Sequence, residues 1–369
     1  MLNISLDLKT LTYNKAGIGR YCINLSQQLV NRSKFNFFGI SGPETDYELL
    51  KNLTLNNKIN LKIKSSLIRS FLIPFLLPKK IELHHSMDNS GIINFRKRIK
   101  KITTIHDVLV FLYPEYFSLK HRTIVSNLIK MAVKSSDHII TDSNSSKNEL
   151  LSIFSKINPE HISVIPLAAN IKQLNTKSDK SVHNLYGIPN NYLLSVGTFE
   201  PRKNLARLIE SFLELKHSKK LQDVGLVLVG GKGWLDSGVG SDKEELNKKG
   251  IFPIGFVEDE FLPYLYSNAM AFIYPSIHEG FGLPPLEAMS CGSPVILSNS
   301  SSLPEVGGDA VLYVDPFSVE SIKEAIERIV YDDELRKSMA KKSLKQSQKF
   351  SWDRTAEQTE EVYAKVLEL

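Results

Sequence analysis

Short apolar runs alternate with longer amphipathic stretches along the whole chain. In the first half the runs 2–7, 35–40, 81–85, 101–105, 137–141 and 162–166 predict buried strands, and 18–31, 119–135 and 144–154 predict helices. The second half repeats the alternation, with strands predicted at 191–196, 224–229, 251–254, 270–274, 294–298 and 311–314. Helices are predicted there at 203–216, 258–268, 284–291 and 318–330. Strands alternating with helices make βαβ units and a parallel sheet. Two such sets predict an α/β protein with two Rossmann-like domains, residues 1–170 and 183–351. The polar, Lys/Ser/Asn-rich residues 171–182 read as the linker.

The segment Leu61 to Lys80 fits neither template. It carries Leu67, Ile68, Phe71, Leu72, Ile73, Phe75, Leu76 and Leu77, with Lys62, Lys64 and Arg69 before or among them and Lys79 and Lys80 after. Pro74 would kink a helix there. The segment is too short and too charged to span a bilayer, so it is either a helix packed in the core or an interfacial segment.

Length and composition narrow the class. A chain of 369 residues favours two domains, and a hydrophobic fraction of 42% is ordinary for globular proteins. Cys22 and Cys291 offer no metal spacing and no disulfide framework, which fits two small buried residues in a reducing compartment. Residues 1–7 read as a strand rather than a signal peptide, and no run of about 18 apolar residues exists to cross a membrane. Charge is unevenly placed. Residues 1–180 hold 26 basic and 13 acidic side chains, against 20 and 27 in residues 181–369. A basic first half suggests an anionic partner: nucleic acid, a membrane surface or a phosphorylated acceptor. No basic-aromatic nucleic-acid module is visible, and a merely solvated Lys-rich surface remains open.

Residues 278–292 carry the sharpest chemical signal. The apolar run 271–276 precedes Gly280 and Gly282 in a tight loop, and Pro284 and Pro285 then suit the first turn of a helix. A glycine loop feeding a helix N-terminus presents backbone N–H groups and a positive dipole end to an anion. Glu279 and Glu287 bracket that loop. Arg202 and Lys203 follow the strand 191–196 and are predicted to open a helix, where cations are disfavoured by the dipole unless an anion binds.

The E-x₇-E spacing of Glu279 and Glu287 resembles the signature of glycosyltransferase family 4, retaining enzymes of the GT-B fold. The resemblance covers most of the chain. It includes the Gly-Thr-Phe-Glu-Pro-Arg-Lys-Asn run 197–204, Val229-Gly230-Gly231, Gly255-Phe256-Val257, Gly17-Ile18-Gly19 and His106-Asp107. It implies two Rossmann-like domains facing across a cleft, an acceptor-binding first domain and a nucleotide-sugar-binding second domain. A C-terminal helix from about residue 352 would cross back onto the first. By the same resemblance Arg202, Lys203 and Gly197 hold the donor diphosphate, and Gly17 and Gly19 approach it and the acceptor. Gly231 and Lys232 line the nucleotide side, and Phe281, Gly282 and Leu283 form the donor loop. Glu287 meets the ribose, and Glu279 and His106 meet the donor sugar, so that Glu279, His106, Arg202 and Lys203 carry the chemistry.

The wording of these motifs is similar to bacterial surface-polysaccharide (O-antigen) mannosyltransferases. GDP-mannose is thus the leading donor, with a UDP-hexose or another GDP- or dTDP-sugar as the alternative. The donor is a substrate, and no cofactor is implied. No Asp-x-Asp occurs, so metal-independent catalysis is expected. The implied partners are the nucleotide sugar, an oligosaccharide or polyprenyl-diphosphate-linked acceptor and an anionic membrane surface, without nucleic acid. The implied location is the cytoplasm or the inner face of its membrane. One departure is Pro166-Leu167-Ala168-Ala169-Asn170, where many relatives have a glycine and an aspartate. It leaves the hinge open. An NAD-dependent oxidoreductase would also have two Rossmann-like halves, but Cys22 stands where the third glycine of its fingerprint belongs. A non-catalytic binding protein would not need two cations and two acids to converge. A P-loop ATPase is disfavoured, because Gly230-Gly231-Lys232-Gly233 lacks the frame and the Ser/Thr.

Overall fold

The computed structural model describes the chain outside residues 12–16, 54, 56, 93–97, 171–180, 219, 232, 234–238 and 241, and outside the side chains of Tyr47, Asn52, Asn57 and Ser181. Most of the expected linker, Lys232 and the basic positions 96 and 97 therefore lie outside the described residues. The chain divides into two compact units, Met1–Ala168 with Ser351–Leu369, and Ala169–Phe350.

The first unit is built on seven parallel strands: β1 (Asn3–Asp7), β2 (Asn36–Ser41), β3 (Asn57–Asn60), β4 (Leu83–Ser86), β5 (Lys100–Thr104), β6 (His138–Thr141) and β7 (Ile162–Val164). Their order is β3-β2-β1-β4-β5-β6-β7. The second unit has six: β8 (Tyr192–Val196), β9 (Gly225–Val229), β10 (Ile251–Gly255), β11 (Ala271–Tyr274), β12 (Val295–Ser298) and β13 (Leu312–Val314). They run parallel in the order β10-β9-β8-β11-β12-β13. Helices cover parallel sheets on both faces, so β9 and β11 read as unbroken apolar runs and are buried throughout. Leu208, Phe212, Leu228, Ile273, Ile296 and Ile326 anchor the core of the second unit. Cys22 and Cys291 are both buried and unpaired with each other.

The pattern missed what polar sequence hides. The edge strand β3 reads Asn-Lys-Ile-Asn and shows no apolar alternation. The helix Asp333–Ser347 is polar nearly all round; its surviving signal is Asp332, whose carboxylate caps the N–H of Leu335 at 2.8 Å. The helix expected at 258–268 begins only at Leu262, where Pro263 fits the first turn.

Residues 61–80 resolve into a helix, Ser66–Leu76, with Pro74 inside it. The reading as a helix packed in the core holds for one face. Arg69, Ser70, Ile73 and Pro74 pack inward, while Leu67, Ile68, Phe71, Phe75 and Leu76 are exposed. Among the described residues no helix is long and apolar enough to cross a membrane.

The last helix, Trp352–Leu367, belongs to the first unit. Its Arg32 partners, Asp353 and Glu360, lie at 2.6 and 2.9 Å. Thr355 donates to the carbonyl of Pro166 at 2.8 Å, and the Tyr363 hydroxyl meets His85 Nδ1 at 2.7 Å.

Candidate active site

In an open parallel sheet, ligands bind beyond the carboxyl ends of the strands where the strand order reverses. In the second unit that point lies between β8 and β11. Gly197 follows β8 and Glu279 follows β11, so the reversal itself brings the two expected donor segments together. Backbone contact there is close: a Cβ on Gly230, at φ +141°, would stand 2.0 Å from the Gly197 carbonyl oxygen.

The segment after Gly197 corrects the sequence reading of Arg202 and Lys203. They do not open the following helix. Pro201–Lys203 form a 3₁₀ turn, Asn204 then takes the left-handed conformation at φ 59°, and the helix Leu205–His217 starts after it. The Asn204 side chain donates to the carbonyls of Pro275 at 3.0 Å and Pro316 at 2.6 Å. The turn is thereby fixed to the segment after β11, and Arg202 and Lys203 are aimed at Glu279.

Glu279 is the hub of the result. Its Oε2 accepts from Arg202 at 2.7 Å, and its Oε1 accepts from Lys203 at 2.6 Å with Ser276 Oγ also at 2.6 Å. Arg202 also donates to Glu200 at 2.9 Å and to the His278 carbonyl at 3.3 Å. Lys203 further contacts the Tyr274 hydroxyl and sits 4.8 Å from that ring's centre. Two cations thus face two carboxylates in a buried cluster. Burial would raise the Glu279 carboxyl, but Arg202 and Lys203 outweigh it and hold the group well below the usual carboxylate range. Burial lowers Lys203 to about 8, with Arg202 adding to the effect, so it stays mostly charged at neutral pH.

The loop after Glu279 is held from below by serines. The Glu279 N–H donates to Ser301 Oγ at 2.9 Å, and Ser302 Oγ lies 2.9 and 2.8 Å from the carbonyls of Glu279 and Phe281. Gly282 enters the helix Leu283–Ser290 at φ +112°, and a Cβ there would meet Leu303 at 2.8 Å. Phe281 packs edge-on against Phe350. Leu283 is buried at the first helical position. Glu287 is buried one turn further and accepts from the Tyr266 hydroxyl at 3.2 Å. A Cβ on Gly231 would meet nothing within 4 Å, so that glycine borders open space.

The first unit holds the other expected residues. Gly17 and Gly19 form the first turn of the helix Gly17–Arg32 rather than a loop before it. His106 follows β5 and is buried. Its Nδ1 lies 2.6 Å from Asp142 and its Nε2 lies 3.2 Å from the Met87 carbonyl. With Asp142 ionised, both partners accept and both ring nitrogens donate, which is the imidazolium form. Burial by itself would lower its pKa; Asp142 overcomes that and raises it to about 9. Burial also pulls the Asp142 carboxyl upward, but the two acceptor partners of the ring favour the imidazolium–carboxylate form. The Tyr21 ring stands edge-to-face at 4.8 Å.

Strand order in this unit reverses between β1 and β4. A cavity of about 380 Å³ opens there, lined among others by Lys9, Gly19, Ser66, Arg69 and Asp88. Lys9 pairs with Asp88 at 2.9 Å and the buried Arg69 with Asp7 at 2.7 Å.

Sequence reasoning singled out neither Glu200, Asn204 and Tyr274 nor Asp142 and Tyr21. The first three stand inside or beside the quoted motifs, so position was their only signal. Asp142 and Tyr21 reach His106 through the sheet, and no local pattern marks them. Among the described residues no group of three His, Cys, Asp or Glu could hold a metal ion.

Two doubly wound parallel units, one with a buried Arg–Lys–Glu cluster at its strand reversal, define a GT-B glycosyltransferase architecture. Residues 178–346 match the family model for glycosyl transferases group 1, and residues 16–173 match that for glycosyltransferase family 4. The O-antigen chain mannosyltransferase B of Escherichia coli is 36% identical over 268 residues, covering 72% of this chain and 70% of that protein. The O-antigen chain mannosyltransferase RfbU of Salmonella typhimurium is 34% identical over 231 residues, 61% of this chain and 60% of that one. Among solved structures, the sucrose-phosphate synthase of Thermosynechococcus elongatus shares the fold, with a TM-score of 0.74 at 19% identity over 100% of this chain and 99% of that one. The chain belongs to this family of glycosyltransferases.

Proposed function

We propose that the protein transfers mannose from GDP-mannose, with retention and without a metal, to a growing lipid-linked bacterial polysaccharide. The observation that carries the donor half is the convergence of Arg202, Lys203 and Glu279 at the strand reversal of the second unit. A nucleoside diphosphate brings an anion that competes with Glu279 for the two cations. Arg202 offers it a planar fork and Lys203 a point charge, and both stabilise the charge that grows on the leaving diphosphate. The Glu279 carboxylate is then shared between these cations and the sugar. With Arg202 and Lys203 still beside it, it stays ionised, which suits stabilising an oxocarbenium-like carbon and not donating a proton. Glu287 takes the ribose hydroxyls, with Gly197 and Gly231 beside the nucleotide and the Phe281–Leu283 loop closing on the donor. In the first unit His106, held in place by Asp142 and the Met87 carbonyl, meets the donor sugar, and Gly17 and Gly19 approach the donor phosphate and the acceptor. The absence of Asp-x-Asp from the sequence supports a site in which Arg202 and Lys203 do the work of a metal.

Mannose as the sugar, and a membrane-linked polysaccharide as the acceptor, follow the mannosyltransferases that the chain resembles. The enzyme would then work in the cytoplasm at the inner face of the membrane. The purified protein is to be incubated with GDP-mannose, GDP-fucose, UDP-glucose and dTDP-rhamnose, each with a polyprenyl-diphosphate-linked oligosaccharide. Product from GDP-mannose with an α-anomeric linkage by NMR is the expected outcome. Transfer from a UDP- or dTDP-sugar alone, or inversion, overturns the reading. A thermal-shift panel of GDP, UDP, ADP and NAD tests the base independently.

A further inference from the structure

We propose that the exposed face of the helix Ser66–Leu76 docks the first unit on an anionic phospholipid surface. Leu67, Ile68, Phe71, Phe75 and Leu76 recur at helical spacing and are between 38% and 55% exposed, while the opposite face packs through Ser70, Ile73 and Pro74. Phe71 and Phe75 stand side by side, ring centres 5.9 Å apart. Large apolar side chains grouped on one exposed face mark an interaction surface.

Charge identifies the occupant. Between Glu48 and Glu82 the sequence contains no carboxylate, and its six lysines, Lys51, Lys58, Lys62, Lys64, Lys79 and Lys80, are all exposed. An apolar stripe flanked in the chain by Lys62, Lys64, Lys79 and Lys80, with Glu44 and Asp88 on the cavity side of the helix, has the composition of a helix lying in a membrane interface, where lysines meet lipid phosphates. A second copy of the chain fits poorly, because a two-fold contact would set this lysine-rich patch against itself.

The helix also ties this face to the cavity at the β1/β4 reversal. Ser66 and Arg69 line that cavity, while Leu67, Ile68 and Phe71 on the same turns face outward. One short helix therefore presents a polar cavity and an apolar surface side by side, as a glycan carried on a lipid requires. The purpose of docking rests on the proposed lipid-linked acceptor, but its test does not, since binding is read without donor or acceptor.

The full chain is to be sedimented with vesicles of phosphatidylglycerol and phosphatidylethanolamine, or of phosphatidylcholine alone, at low and at high salt. Sedimentation with the anionic vesicles at low salt, weakened at high salt, is expected. The double variant Phe71→Ser/Phe75→Ser should lose more than about tenfold of that binding. Its turnover on a water-soluble acceptor should match the parent, which shows that the fold is intact. In a second variant, Phe75→Trp, indole emission should shift to the blue on adding anionic vesicles. Lys62→Glu/Lys79→Glu should weaken binding without altering soluble turnover. Recovery of the parent chain in the supernatant with both vesicle types overturns the proposal, as does undiminished sedimentation of Phe71→Ser/Phe75→Ser. A concentration-dependent dimer that this double variant abolishes, without vesicle binding, also overturns it and assigns the face to a second copy.

Discussion

Acidification tests the burial of His84 and His85 on the central strand β4. Neither ring is solvent-exposed. His84 meets Ser5 through Nδ1 at 2.9 Å, and among the described residues its Nε2 has no partner. His85 is held between Tyr363 at 2.7 Å and Thr104 at 2.8 Å. Burial lowers the two rings to about 4 and about 3, so both stay neutral in the folded protein at pH 5. In the unfolded chain they take up protons below about 6.5. A depressed folded pKa means that the contribution to stability is complete above the unfolded value and is lost as pH falls. Each pH unit below 6.5 costs about 1.4 kcal/mol per ring, so pH 5 costs about 4 kcal/mol for the pair. That is a large part of the roughly 5–15 kcal/mol that holds a domain together.

His106 has the opposite sign. Its raised pKa makes its contribution complete below about 6.5, flat toward pH 5, and lost as pH rises toward about 9. The lowered carboxyls of Asp7 and Glu279 weaken the fold only below about pH 4. Stability of the first unit should therefore peak near pH 6.5. Urea unfolding read by Trp352 emission, in a Trp234→Phe background, should show an acid limb of about 2.7 kcal/mol per pH unit from this pair, to which His138, lowered by burial to about 4, adds up to about 1.4. His85→Gln should take about 1.4 kcal/mol per pH unit off that slope whatever it does to the absolute stability. Equal stability at pH 7 and pH 5, or an unchanged slope in His85→Gln, would refute the burial argument.

Arg202→Ala and Lys203→Ala should each lower kcat/KM by about 30- to 1,000-fold, the equivalent of about 2–4 kcal/mol of lost transition-state stabilisation, in steady-state assays with labelled donor. Near-parental activity in both would remove the diphosphate role. EDTA should leave turnover largely intact, and complete loss restored by Mg²⁺ or Mn²⁺ would contradict metal independence. Gly230→Ala should fail to give folded protein or melt far lower, because its new Cβ would stand 2.0 Å from the Gly197 carbonyl at a φ of +141°. A melting temperature within a few degrees of the parent would show that the two loops can part.

The sheets were legible because parallel strands buried on both faces must be continuously apolar, as in Leu226 to Val229 and Ala271 to Tyr274. The segments that converge at the second strand reversal were legible because Gly-Thr-Phe-Glu-Pro-Arg-Lys-Asn and the glycine–proline loop are local runs. What local patterns cannot carry is contact across the sheet. Asp142 is 36 residues from His106 and gives no sign in sequence that it makes the ring an imidazolium. The dipole argument placed Arg202 and Lys203 at a helix start, whereas the left-handed Asn204 detaches them from it and turns them toward Glu279. The helix Ser66–Leu76 was ambiguous for a different reason. It is apolar on both sides, and composition cannot say which side meets protein.

The placement of the last helix bears on how the chain is made. Residues 169–350 form a unit inserted between two stretches of another, and the closing contacts run from Arg32 to Glu360 and from His85 to Tyr363. During synthesis the second unit is complete while the first still lacks a helix that covers it. For roughly ten seconds or more of elongation at about 5–20 residues per second, the sheet carrying His84 and His85 waits unsealed. The unit translated first is thus the last to finish folding. Premature termination even a few codons before Tyr363 would spare the second unit and leave the first open to aggregation and proteolysis.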